Sequence, residues 1–223
     1  GSLGKLIGGW DIHNKCYTLS IQPTVGQATG EQAITLSFDE QVQGWTSFYS
    51  YVPSHMLSLN NSFYSFDLGG DLYEHYSDNV NRANFYGNNS NSSVTTVFNA
   101  KPSMIKNFQT INYEGDSNWS LNLFQTNTDS ANQIDVFSMP TTLAEMENAL
   151  LKNQFKAKEN KYFANLINTS TVNQGEVVYG KEISGVKGFY ATVRLSATNL
   201  VGGGLNGTNE LFAVSTNYKE SSY

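Results

Sequence analysis

Gly202-Gly203-Gly204-Leu205-Asn206-Gly207 satisfies G-x-G-x-x-G, the pattern of a dinucleotide-binding turn. That chemistry needs the turn to open a helix whose N-terminus faces a pyrophosphate. Thr208 to Val214 instead read as a strand, and Asn206-Gly207 is a hairpin turn signal, so the segment reads as a loop. His13, His55 and His75 lack the spacing of metal ligands, and a single Cys16 makes a structural zinc site a poor reading. His75 follows Asp71 and Glu74, where an acid–base or metal cluster can be imagined, but the stretch reads better as a polar strand end.

Glycoside hydrolysis needs two carboxylates about 5–9.5 Å apart. Asp39 and Glu40 are adjacent, so on a strand they point to opposite faces, and nothing pairs Asp11, Asp67, Glu74 or Asp78. No G-x-S-x-G elbow or Cys/His nucleophile signature is present. The expectation is a protein that is not an enzyme, with no catalytic, metal or cofactor residues. The aromatic run from Trp45 through Tyr49, Phe63 and Tyr76 has two non-catalytic readings. Aromatic platforms among Asn, Asp and Gln bind sugars, whereas aromatics in strands build cores and protein interfaces. Their density favours core plus interface, with Trp45 and Tyr49 as the first choices for contact or ligand residues.

These residues need β elements to hold them. The 223 residues carry 13 Lys+Arg against 19 Asp+Glu, a net charge of −6. Charged residues make up only 14% while aromatics reach 13%, and there are 26 Asn. Such a chain can build a core and is unlike a disordered one, which favours charge over aromatics. Net acidity without Lys/Arg runs argues against nucleic acid as a partner. No apolar run approaches a membrane span, and no signal peptide is read at the start.

Tyr17, Leu19 and Ile21 alternate with Thr18 and Ser20, the pattern of a half-buried strand, and Ile34, Leu36 and Phe38 alternate likewise. A hairpin through Gly26 to Gly30 joins the two. Short aromatic strands follow at 44–51, 62–66 and 71–75, separated by Asn60-Asn61 and Gly69-Gly70, which tolerate positive φ. Asn88 to Ser93 reads as a solvated loop. Strands resume at 94–98, 108–113 and 119–124, with Trp119, Leu121 and Leu123 on one face. Thr142 and Glu145 form a capping box that predicts a helix over 142–153. A terminal hairpin is expected over 189–216.

The expected fold is therefore mainly β, an antiparallel meander or propeller-like set of sheets with one principal helix and a small C-terminal β unit. The expected divisions are a β domain at 1–138, a helical linker at 139–160 and the small unit at 161–223. No sequence repeat supports a propeller.

Several blocks resemble tailed-bacteriophage virion structural proteins. Phe38-Asp39-Glu40, Gly44-Trp45-Thr46-Ser47-Phe48 and Tyr51-Val52-Pro53 lead to Gly70-Asp71-Leu72-Tyr73-Glu74-His75. Asn81-Arg82, Phe85-Tyr86-Gly87, the run Lys106 to Gly115 and Glu210 to Ser215 continue the likeness. The chain looks closest to the long proteins of the crAss-like and marine phages, in which related chains form a muzzle-like assembly at the distal tail. The resemblance implies a C-terminal portion of such a protein, located in the virion tail and ending naturally at Glu220 to Tyr223. It implies copies of itself and other tail proteins as partners, and it brings no catalytic residues. Because phage tails have rotational symmetry, copies are expected to close into a ring through the aromatic face. The rival reading is a receptor- or glycan-binding module on the virion surface, with a host-surface glycan as partner.

Overall fold

The computed structural model describes residues 4–23, 32–117, 119–127, 155–168, 183–197 and 209–221. The expected helix at 142–153 and the glycine loop at 202–207 lie outside these residues. All regular elements among the described residues are β-strands, and every pairing is antiparallel. The contacts group the chain into two compact units, one within Gly1–Ser90 and one within Asn91–Thr198 plus Thr208–Tyr223.

The first unit opens with β1 (Lys5–Asp11), β2 (Cys16–Gln22), β3 (Ile34–Asp39) and β4 (Gly44–Tyr49), a four-stranded meander in chain order. Strand β1 has no counterpart in the sequence reading, because Gly8-Gly9 interrupts its alternation. Gly9 is required by packing, and Gly8 leaves room for the Tyr17 side chain. A Cβ on Gly9 would lie 2.7 Å from the Met56 Cβ, and one on Gly8 would collide with the Tyr17 hydroxyl. A second meander follows, with β5 (His55–Leu59), β6 (Ser62–Phe66) and β7 (Leu72–Glu74). The β5–β6 turn is Asn60-Asn61 with φ of 48° and 65°, the two left-handed residues of a tight hairpin. Strands β8 (Asn84–Phe85) and β9 (Asn88–Asn89) form a small hairpin. The expected solvated loop at 88–93 is thus corrected: its two ends belong to β9 and to the next strand.

In the second unit, β10 (Ser92–Phe98), β11 (Lys106–Gly115) and β12 (Trp119–Thr126) are followed by β13 (Lys156–Lys158) and β14 (Lys161–Asn165). Then come β15 (Ile167–Asn168), β16 (Ile183–Ser184), β17 (Val186–Gly188), β18 (Ala191–Ala197) and β19 (Leu211–Glu220). One sheet has the order β10-β18-β12; the other runs β13-β14-β11-β17, with β19 also on β11, and β15 and β16 pair separately. Their shared core includes Phe108, Ile111 and Tyr113 of β11, Trp119 and Phe124 of β12, and Val193 and Leu195 of β18.

Three expectations are corrected here. No hairpin joins β18 to β19: β18 lies between β10 and β12, and β19 pairs with β11. Both strands instead pair with strands far away in sequence. For the same reason the C-terminal strands do not form a small unit of their own. Finally, the register of β12 shifts between Leu121 and Leu123, which turns Leu123 outward and buries Phe124. A bulge of this kind exchanges the two faces of a strand.

Lys106 is the unexpected buried residue of this unit. Its Nζ donates to the carbonyls of Lys101 at 3.0 Å and Met104 at 2.9 Å, and to that of Phe189. Burial lowers the pKa of the ammonium, with Glu220 acting in the opposite sense.

Candidate interaction surface

The first meander buries its polar face. Thr18, Ser20, Thr35 and Ser37 are all fully or nearly fully buried, as are Cys16 and Asp11. Their small side chains let the rest of the unit approach closely, and their polar atoms are paired, as burial requires. Thr35 Oγ1 donates to the Tyr51 carbonyl at 2.6 Å and lies 3.0 Å from Ser20 Oγ. Ser37 Oγ contacts Cys16 Sγ at 2.8 Å, and burial pushes the Cys16 thiol up from its ordinary pKa.

The apolar residues of the same strands face outward in three cross-strand rows. One row is Leu6, Ile21 and Ile34. The next is Gly8, Leu19, Leu36 and Phe48. The third is Trp10, Tyr17, Phe38 and Trp45. Leu6 and Phe48 are each 70% exposed, and Trp45 is 48% exposed. The alternation in β2 and β3 was legible in the sequence, but the face it buries is the hydroxyl one.

Trp45 and Tyr49 do not share a surface. The β3–β4 register shifts between Ser37 and Phe38, leaving Thr46 as the extra residue. Trp45 therefore stands beside Phe38, edge to face with centroids 5.4 Å apart, on the outer face. Tyr49 turns inward and packs against Tyr51 at 5.5 Å and Phe85 at 5.8 Å. Burial raises the Tyr49 pKa.

Tyr49 joins an inner cluster around Tyr51, Met56 and Phe63. His75 sits there, with its ring 5.0 Å from Tyr51 and 4.9 Å from Phe63, and its Nε2 is 2.6 Å from Ser65 Oγ. Burial lowers its pKa to about 4, against the pull of Asp11. Such an imidazole is neutral at pH 7. Asp71 and Glu74 are exposed and make no hydrogen bond with it, so the imagined cluster does not assemble.

The remaining candidate carboxylates shape turns. Asp11 Oδ1 accepts from the amides of His13 at 2.9 Å and Asn14 at 3.2 Å, and its Oδ2 accepts from the Tyr76 hydroxyl. Asp39 Oδ1 accepts from the amides of Gln41 at 2.7 Å and Val42 at 3.2 Å. Asp67 Oδ1 accepts from Asp71 at 2.9 Å. His13 stacks on Tyr76 at 4.2 Å, and His55 meets Phe66 edge to face at 6.5 Å. Among the described residues, no three His, Cys, Asp or Glu side chains gather as a metal site, and no helix is long and apolar enough to cross a membrane.

An open cleft of about 620 Å³ lies beside the inner cluster, lined by residues that include Tyr73, Glu74, Arg82, Asn84 and Tyr86. The Tyr73 and Tyr86 rings are 4.6 Å apart. The downstream half of this cleft begins a span with a recognisable relationship. Residues 80–169 match the crassvirus muzzle protein C-terminal domain. The match supports the resemblance to the C-terminal portion of a crAss-like phage muzzle protein. It covers two fifths of the chain, from before β8 to just after β15. The muzzle-domain span thus contains β11, the central strand of the second unit, whereas the outward apolar rows of β1 to β4 precede it. No curated protein matches the chain.

Proposed function

We propose that this chain is a structural component of a bacteriophage virion, part of the tail, with no enzymatic role. The observation that carries the reading is the similarity of residues 80–169 to the crassvirus muzzle protein C-terminal domain. A mainly antiparallel β architecture with low charge suits a part that is held by neighbours. Its partners are other virion proteins and further copies of itself. Averaged density of intact particles tests this: the β10-β18-β12 and β11-centred sheets should fit the tail. A chain absent from purified particles would sink the proposal.

A second reading, a glycan-binding module, is favoured by the cleft beside Tyr73 and Tyr86. Ring faces next to Glu74, Arg82 and Asn84 supply both stacking and hydrogen bonds. A glycan array in which one sugar class binds and Tyr73→Ala abolishes that binding would support it. Equal signals from the two proteins would remove it.

A further inference from the structure

We propose that the outward apolar face of the β1–β4 sheet is a self-association surface, on which one copy of the chain packs against the same face of another. The inference deepens the proposed role, because it names the surface through which copies meet. It rests on that reading only for the place of the contact in a virion.

The three rows carry no ionised side chain, and they extend across all four strands of the sheet. Seven of their large residues are more than a third exposed. With side chains of about 150–250 Å² each, the accessible apolar area is on the order of 700–800 Å². Monomeric proteins seldom leave a contiguous patch of more than a few hundred Å² in water. The area matches what one partner contributes to a stable interface, roughly 800 Å².

The geometry suits a sheet as the occupant. Tyr17 lies across the gap that Gly8 leaves, so the glycine opens no hole in the face. A pleated surface of this kind packs on another sheet about 10 Å away, with side chains interdigitated. Without charges the face cannot select its partner by electrostatic complementarity. It requires an equally uncharged, pleated, aromatic-rich surface. A second copy supplies that surface with the same strand spacing and no like charges in opposition. Two copies meet about a two-fold axis, because a contact of a face with itself is isologous and closes as a pair.

The nearest rivals fit less well. A sugar needs a dense set of directed hydrogen-bond partners, which these rows lack. An anionic lipid surface needs a basic rim, whereas the chain carries a net charge of −6.

The test is sedimentation velocity of the purified 223-residue chain over a concentration series. Wild type should associate reversibly, with a dissociation constant in the micromolar range or tighter. Phe48→Asp and Leu6→Asp each place a charge on the face at a site already open to water, so folding is spared. Each should weaken association about 100-fold, because a buried unpaired charge is costly. Phe212→Asp, at a 73% exposed site in the second unit, should leave it unchanged. Near-UV circular dichroism confirms that each variant is folded. A wild type that stays monomeric at every concentration overturns the proposal, as does association indifferent to both face variants. Particle density with a different virion protein on this face would assign it to that partner and leave the structural role standing. Conversely, self-association of a chain absent from particles would keep the face and remove the tail.

Discussion

Trp45 and Tyr49, four residues apart on β4, project from opposite faces of their sheet. The extra residue Thr46 in the β3–β4 ladder changes the parity between them. Trp45 stays in contact with Phe38 at the outer surface, and Tyr49 enters the cluster around Tyr51. Truncating the two should therefore have unequal consequences. At dilution sufficient for the monomer, Trp45→Ala should change the unfolding free energy by under about 1 kcal/mol, while Tyr49→Ala should cost about 2–3 kcal/mol. Urea denaturation measures both; equal losses would contradict the bulge.

His75 makes the stability of the first unit sensitive to acid. Its pKa falls from 6.5 to about 4 on folding, so the unfolded chain binds more protons between those values. Stability from this group is complete above pH 6.5 and is lost as pH drops toward about 4. The total is on the order of 3 kcal/mol. His75→Phe keeps an aromatic ring among Tyr51 and Phe63 but cannot protonate. Thermal unfolding of the variant should show a shallower decline between pH 6.5 and about 4 than wild type. Parallel curves would exclude His75 as the source.

Lys106→Met keeps an unbranched, flexible side chain one heavy atom shorter but removes three hydrogen bonds to the carbonyls of Lys101, Met104 and Phe189. The Lys101 carbonyl keeps the Met104 amide at 3.0 Å, while the Met104 and Phe189 carbonyls each lose the ammonium as a donor. The expected cost is about 2–4 kcal/mol of unfolding free energy. Denaturant titration of the variant provides the number, and a neutral result would mean that the carbonyls find other partners.

The turn at Asn60-Asn61 offers a prediction of opposite sign. Both residues have positive φ, which costs an L-residue with a branched side chain about 1–2 kcal/mol. Asn61→Gly should stabilise the hairpin by up to about 1 kcal/mol, and Asn61→Val should destabilise it. Melting temperatures that move in the reverse order would mean the turn is not of this type.

Local chemistry was enough to reveal much of this protein. Alternation identifies β2 and β3, and Asn60-Asn61 marks the β5–β6 turn. Those features depend only on backbone sterics and on a period of two, which a single segment contains. Strand partners are another matter. β18 and β19 each pair with strands distant in sequence, and nothing within residues 189–216 encodes those partners.

Which face is buried also had to await the tertiary structure. In β2 and β3 the alternation separates an apolar row from a hydroxyl row without fixing which of them is inside. The hydroxyl row is inside because Thr35 finds the Tyr51 carbonyl and Ser37 finds Cys16, contacts that exist only after the unit closes. The bulges at Thr46 and after Leu121 then reassigned Trp45 and Phe124 by one-residue shifts in register. The amino-acid sequence by itself determined that this chain would be made of strands, since pleating and turn sterics act within a few residues. The tertiary structure decided which side of each strand meets water, because that choice depends on the partners available to every polar group at once.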